Sequence, residues 1–503
     1  MRTTHRTVTE RLLEGLLIHG GRIEREDLTQ EEFWDVAEIG KTEGTKIKQQ
    51  FLVNGTLRDL GGGRHLRTRM AFGKRLGYVL GASLGTESLR VALVDANGDL
   101  VITAEDDASP LRAKAKPEQL LEDLAVMTRT VLQQALAQPE LLVAVDRGEP
   151  YLPLLGVAVA WPTPLHRQTK LPTGQSLHLE WGDPPSLPER VAHRLGVPAE
   201  RSSALNDANA CALSAVFDDT RSADVDAGVH RSWVSLVLRL GGGIGAATVL
   251  VDKYDPTHSA FTWSRLVEGT QGLAGELGHL EIPPGVVAEL NKRKHPGLAR
   301  LDLKAQCSCG RAGHLESVAG GAALARRIEA SPELDAEALG LQTGPTREGP
   351  ARMDDIVKRL NGPPAKAALE DIGQLLGHAL AGPILMLNPR RITLTGSLAH
   401  EHVENGIGMA RGAWSSSVSE DPQPRLLQGT ASQYAAARGA ALAVFRKEVY
   451  RRWKSIASVS GKAHVLQYRA GDLPVLGMTV RTHETAAERV PPRRAARRSR
   501  AIA

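Results

Sequence analysis

The chain has 503 residues, 42% of them apolar and 24% charged, the balance of a soluble globular protein with room for roughly two to four domains. No apolar run reaches the ~18 residues of a membrane span, the opening "MRTTHRTVTE" lacks the apolar stretch of a secretory signal, and three cysteines make no disulfide framework, so a cytoplasmic protein is expected. The net charge of +5 is unevenly spread: residues 489–503 hold six arginines and no acid, a Pro/Arg/Ala composition typical of disordered tails.

Residues 8–19 carry apolar side chains at helical spacing with Thr9 as a cap, "GGR" breaks that helix, and residues 25–40 read as one or two further short helices. A third helical stretch, "KTEGTKIKQQFLVNGTL", ends at Asn54-Gly55, and "TLRDLGGGRHL" reads as a strand and a glycine-rich turn. Charge changes sign along this region: residues 1–40 hold five Lys/Arg and nine acids, residues 41–75 nine Lys/Arg and two acids. Helix, helix, basic helix and wing is the order of a winged helix-turn-helix. Lys46, Lys48 and Gln49 then lie on the recognition helix, with Arg58, Arg64 and Arg67 along the wing facing phosphates. The competing reading is a small helical extension packed on the main body.

From Leu76 onward the texture is α/β. Residues 76–105 form β-rich runs with glycine turns, one of them at "NGD". "PEQLLEDLAVMTRTVLQQAL" is an amphipathic helix, "LLGVAVAWP" a buried strand, and "PSLPERVAHRLG" a helix. "SSALNDANACALSAVF" is a strand running into a helix, and "SWVSLVLRLGGGIGAATVLV" is two strands about a glycine cluster. A long helix in "ALEDIGQLLGHALAGPILMLN" precedes the strand "RITLTG", and residues 331–352 read as a polar loop.

Four groups of residues have chemistry to offer. Glycine-rich turns at strand ends, with Ser83, Gly85, Gly241, Gly242, Gly243 and Gly396, let backbone N–H groups approach phosphates, although such turns are common in α/β proteins. Asp207 opens a helix, as a cap or as a general base. Glu276 and His279 in "GELGH" face the same way on a helical turn, suiting a polyol or a metal, or standing as an exposed pair. In "CSCGRAGHLE", Cys307 and Cys309 are too close to bridge each other easily, but a loop can turn both inward onto one ion. Zinc takes four N/S ligands, and His314 and His279 complete a set.

The succession "LGASLGTESLRVALVD", "GVAVAWPTP", "NDANACAL", "LGGGIGAA", "GELGHLEI", "CSCGRAGHLE" and "LNPRRITLTGS" resembles the ROK family of sugar kinases and transcriptional repressors, over roughly residues 76–446. The resemblance implies an actin-like body of two α/β lobes with a cleft between them. It implies sugar ligands at Asn206, Asp207, Glu276, His279 and Glu316, with Asp207 as the base in a kinase. It also implies a structural zinc on His279, Cys307 and Cys309, with His314 in place of the family's last cysteine. The segment "GVVAELNKRKHPGLARLDLKA" lengthens the gap between His279 and Cys307 beyond the family's usual spacing.

The phosphate side departs from the pattern. Ser83 stands where the kinases carry an acid that orients metal-bound ATP phosphates, and Gly242 stands where they carry a hydroxyl. Phosphoryl transfer is mostly positioning and charge neutralisation, so these losses weigh on catalysis and leave sugar binding untouched. With the basic N-terminal region, the resemblance implies the repressor branch: a sugar-responsive regulator that binds an operator as a homodimer or homotetramer. Its expected layout is a winged helix in 1–75, lobes in 76–205 and 206–446, and an extension in 447–503. The alternatives are an ATP- and Mg-dependent hexose or amino-sugar kinase, and a sugar sensor whose N-terminus binds protein.

Overall fold

A computed structural model describes residues 12, 22–23, 39–60, 70–85, 88–106, 117–145, 148–173, 187–221, 233–251, 264–293, 295–336, 339, 353–414, 424–429, 432–444, 452, 466–469 and 482–483. Arg64, Arg67, the first two helices expected at the N-terminus, most of the 331–352 loop and the arginine-rich tail lie outside the described residues.

Two sheets of matching topology form the body. In the first, β4 (Tyr78–Leu84), β5 (Leu89–Asp95) and β6 (Leu100–Asp106) are an antiparallel meander, and β7 (Leu152–Trp161) and β8 (Ser202–Asn206) add on the far side of β4, parallel to it. In the second, β9 (Trp233–Leu240), β10 (Ile244–Val251) and β11 (Ser264–Leu266) repeat the meander, and β12 (Arg391–Thr395) and β13 (Arg425–Gln428) repeat the parallel additions. The spatial order is therefore 3-2-1-4-5 twice. β7, wholly buried along its length, is the continuous apolar run expected of a central strand covered on both faces.

Helices α2 (Pro117–Leu136) and α3 (Leu187–Arg194) share one core with the first sheet. Helices α5 (Pro284–Lys292), α6 (Leu315–Ala319), α7 (Gly321–Glu329), α8 (Met353–Arg359), α9 (Gly362–Leu387) and α10 (Glu401–Met409) build the core of the second lobe. Between the lobes runs α4 (Asp207–Arg221). Its Ala210 and Cys211 belong to a core under the first sheet, and its Ala212, Ala215 and Val216 to a core under the second.

At the N-terminus, α1 (Lys41–Val53) leads into β2 (Leu57–Asp59) and β3 (Met70–Phe72), which pair antiparallel. β3 also pairs with β1 (Arg22–Ile23), a strand within the stretch read only as a helix break. Phe51, Leu57, Met70 and Phe72 share a core with Val79, Val94 and the alanines of a helix at 435–444, labelled α11. The span 206–446 drawn from sequence as the second lobe therefore includes a helical segment that packs on the first lobe. The chain beyond it adds β14 (Leu466–Tyr468) to β7 and β15 (Thr482–His483) to β6, and the Tyr468 hydroxyl donates to the Leu195 carbonyl. Among the described residues, no helix is long and apolar enough to cross a membrane.

Candidate functional site

A cavity of about 1380 Å³ opens between the lobes. The matching topology explains its position. The β4–β5 turn, with Gly85 after Ser83, and the β9–β10 turn, Gly241–Gly243, are equivalent hairpins that both reach this cleft, and Gly396 after β12 joins them. Asn206, Asp207, Glu276, His279 and Glu316 line the same cavity, so the five residues read as polyol ligands are brought together.

The β8–α4 junction fixes the first two. Asn206 Oδ1 accepts from the Ala208 N–H at 2.9 Å and the Asn209 N–H at 3.3 Å, so Asn206, not Asp207, caps the helix. Asp207 is thereby released from the capping role that the sequence allowed it. Its Oδ2 is ion-paired with Arg239 Nη1 at 2.9 Å. Sequence reasoning missed Arg239, although an arginine near the end of the otherwise largely apolar strand "WVSLVLRL" is a visible signal.

Glu276 and His279 flank a short helical turn, Leu277–His279, with Glu276 Oε2 3.7 Å from His279 Nε2. Burial, and then the charges on Asp207 and Glu316, push the Glu276 carboxyl up to about 7. Glu316, at the start of α6, accepts from the Ile244 N–H at 3.2 Å and from the Ser308 hydroxyl at 3.1 Å. One carboxylate thus ties the cysteine loop to the β9–β10 hairpin.

The other nitrogen of His279, Nδ1, lies 3.5 Å from Cys307 Sγ, and Cys309 Sγ lies 3.2 Å from His314 Nδ1. The ligand atoms of these four residues all lie within 4.8 Å of one another. A tetrahedral ion with bonds of about 2.0–2.3 Å needs ligand separations of about 3.3–3.8 Å; the two closest pairs, at 3.5 and 3.2 Å, match this, and the donor set of two imidazoles and two thiolates suits zinc. The long segment between His279 and Cys307 does not disturb this. It folds as α5 and a loop, with Val287, Leu290 and Leu301 in the core and Asn291 clamped to Leu301 by hydrogen bonds of 2.8 and 3.1 Å. The returning chain then pairs Leu315 N–H with the Leu280 carbonyl at 2.8 Å, which sets His314 beside His279.

The phosphate side holds less. Ser83 is buried at the end of β4 and pairs in register with Arg90, whose guanidinium is bound to Glu105 at 2.7 Å. A Cβ at Gly242 would meet nothing within 4 Å, so the missing hydroxyl there is a loss of chemistry, not of space. The Gly241 and Gly242 carbonyls accept from the Gly321 and Ala322 N–H groups at 2.8 and 3.3 Å, so the first turn of α7 is occupied by the protein's own backbone.

Of the residues assigned to nucleic acid, Lys46 and Gln49 are exposed on one face of α1, and Arg58 is exposed on β2. Lys48 is half-buried, and loss of hydration, partly offset by Asp59, lowers its pKa.

Two α/β lobes of identical strand order around this cleft make an actin-like body, as the sequence implied. The profile of the ROK family matches residues 79–447, and the chain belongs to that family. It is 25% identical over 349 residues to a putative xylose repressor of Caldicellulosiruptor sp. (strain Rt8B.4), covering 68% of this chain and 71% of that one. To the xylose repressor of Bacillus subtilis (strain 168) it is 22% identical over 398 residues, covering 78% and 83%. Its fold is similar to that of a ROK family transcriptional regulator homologous to the Mlc protein of E. coli, with TM-score 0.56 and 18% identity, covering 88% and 97%. It is also similar to a ROK glucokinase of Streptomyces griseus in complex with glucose and AMPPNP, with TM-score 0.51 and 20% identity, covering 73% and 98%.

Proposed function

We propose that the chain is a sugar-responsive, DNA-binding transcriptional repressor. The observation that carries the reading is the asymmetry of the cleft. Glu276, His279 and Glu316 form one array joined through Cys307, whereas Ser83 supplies no carboxylate and Gly242 no hydroxyl for phosphates, and Asp207 is held in an ion pair with Arg239. An aspartate paired to a guanidinium is a good acceptor for a sugar hydroxyl. The repressor names of two relatives that cover most of this chain support the same side.

In this reading His279, Cys307, Cys309 and His314 hold a structural zinc. The ion supplies no chemistry to the sugar; it stiffens the loop, so that Glu276, at the far nitrogen of His279, and Glu316 present fixed acceptors. The basic helix α1 with the β2–β3 pair serves as the recognition helix and wing of a winged helix-turn-helix, with Lys46, Gln49, Arg58, Arg64 and Arg67 toward DNA. Two copies then meet a symmetric operator.

The test is a gel shift with DNA from upstream of the chain's own gene, with and without D-xylose, D-glucose and amino sugars. A specific shift altered by one sugar is expected, and Lys46→Ala should weaken binding across sequences and lower the salt slope by about 1. No shift at low salt with the fold intact would remove the repressor reading. The kinase alternative keeps one observation in its favour, a cleft that joins the Asp207 side to all three glycine turns. It requires sugar-dependent ADP release that Asp207→Asn abolishes.

A further inference from the structure

One arginine joins the helix that begins at Asp207 to the N-terminal sheet. Arg438, on α11, is 9% exposed. Its Nη1 donates to both Asp218 oxygens at 2.7 and 2.8 Å and to Ser214 Oγ at 3.4 Å, and its guanidinium carbon sits 5.2 Å from the Phe217 ring centroid. Ser214, Phe217 and Asp218 all lie on α4, whose first residue is Asp207. Nε of the same arginine donates to the Gly98 carbonyl at 2.7 Å, in the β5–β6 turn.

That turn rests directly on α4: Gly98 has φ +75°, and a Cβ there would lie 2.6 Å from the Phe217 ring. A Cβ at Gly439 would collide with the Ala210 carbonyl, so the backbones of α11 and α4 also touch.

The chain of contacts continues into the N-terminal sheet. Asn97, 1% exposed, accepts from the Phe72 N–H at 2.8 Å and donates to the Phe72 carbonyl at 3.0 Å. Asp95 fixes the orientation of Asn97 by accepting from its N–H at 2.8 Å and its Nδ2 at 2.9 Å. Phe72 ends β3, the strand that pairs with both β1 and β2. The Gly98 and Phe72 joints are buried, the Arg438–Asp218 pair is partly so, and all are directional; close-packed backbones transmit a displacement instead of absorbing it.

We propose that Arg438 is the positioning residue that couples the cleft to the N-terminal sheet. A shift of α4 on sugar binding at Asn206 and Asp207 passes through Asp218, Arg438 and the 95–99 turn to Phe72, and so to β3 and the wing. The inference rests on the sugar-responsive DNA-binding reading. It names the joints through which such a shift would pass.

The experiment uses the full chain, the upstream DNA fragment, and D-xylose with D-glucose beside it as sugar probes. Three quantities are measured for wild type, Arg438→Gln and Asp218→Asn: sugar affinity without DNA, DNA affinity without sugar, and the factor by which saturating sugar changes DNA affinity. In wild type that factor is expected at about 5- to 150-fold. In both variants it should fall toward unity while the two separate affinities hold. A factor that stays at the wild-type value in folded variants overturns the joint and leaves the repressor reading standing. So does a loss confined to melting temperature or to one of the separate affinities, which marks a structural role only. No sugar effect on DNA in wild type itself removes the underlying reading, and the joint with it. Amide exchange on the wild-type chain checks the same claim without any variant. Sugar should change the protection of the Phe72 amide, which donates to Asn97, and unchanged exchange there while α4 responds would overturn the coupling.

Discussion

The two ends of the cleft are built from equivalent hairpins of two sheets that share one strand order, yet they differ in what they offer a ligand. Around the β9–β10 hairpin, Glu316, Ser308, Glu276 and His279 form a connected array that closes on the four-residue thiol and imidazole cluster. Around the β4–β5 hairpin, Ser83 is buried beside an arginine already bound to Glu105. At the tip of the β9–β10 hairpin itself, Gly242 carries no side chain, and a Cβ there would meet nothing within 4 Å. Recognising a polyol needs directed acceptors held still; transferring a phosphoryl group also needs charge neutralisation at the phosphates. In the proposed reading the cleft keeps the first set and lacks members of the second, so binding would persist without transfer.

The largest effect should come from opening the stiff end. Cys307→Ser with Cys309→Ser removes two thiolates, and metal analysis should fall from about one zinc per chain to none, with sugar affinity weakened about 10- to 100-fold or more. Zinc retained at full stoichiometry would contradict the assigned ligands. Next, Glu276→Gln removes a carboxyl raised to about 7 without changing shape, so titration calorimetry should show a loss of roughly 1.5–3 kcal/mol in sugar binding at about pH 8–9, where the carboxylate is charged, and a smaller one near about pH 6. A smaller effect is expected at the junction: Asn206→Ala deletes the cap of α4 and should cost about 1 kcal/mol in denaturant unfolding. Smallest of all, Gly242→Thr enters open space and should change stability by no more than about 0.5 kcal/mol and leave sugar affinity unaltered. A large destabilisation there would mean the phosphate end is packed, not bare.

Much of this was legible in the sequence because it rests on local periodicity. The helices at Pro117–Leu136, Asp207–Arg221 and Gly362–Leu387 and the strands flanking each glycine turn follow from apolar spacing. The quartet of His279, Cys307, Cys309 and His314 was legible from ligand chemistry, despite a long intervening segment that folds as its own helix. Other features leave no local trace. β1, β14 and β15 are two or three residues long, too short for an alternating pattern, and exist because a distant edge accepts them. That α11 returns to the first lobe is a tertiary fact, and with it comes the pairing of Arg438 with Asp218. Asp207 read alone was a cap or a base; only the fold shows that Asn206 takes the cap and that Asp207 faces Arg239.

The most direct test is a calorimetric titration of sugars into the purified chain in the presence of Mg-ATP. The account predicts a saturable binding isotherm for at least one sugar that returns to baseline after each injection, with no continuing heat. Sustained heat after each injection, scaling with sugar and lost in Asp207→Asn, would reveal turnover and contradict the claim that this cleft binds without transferring.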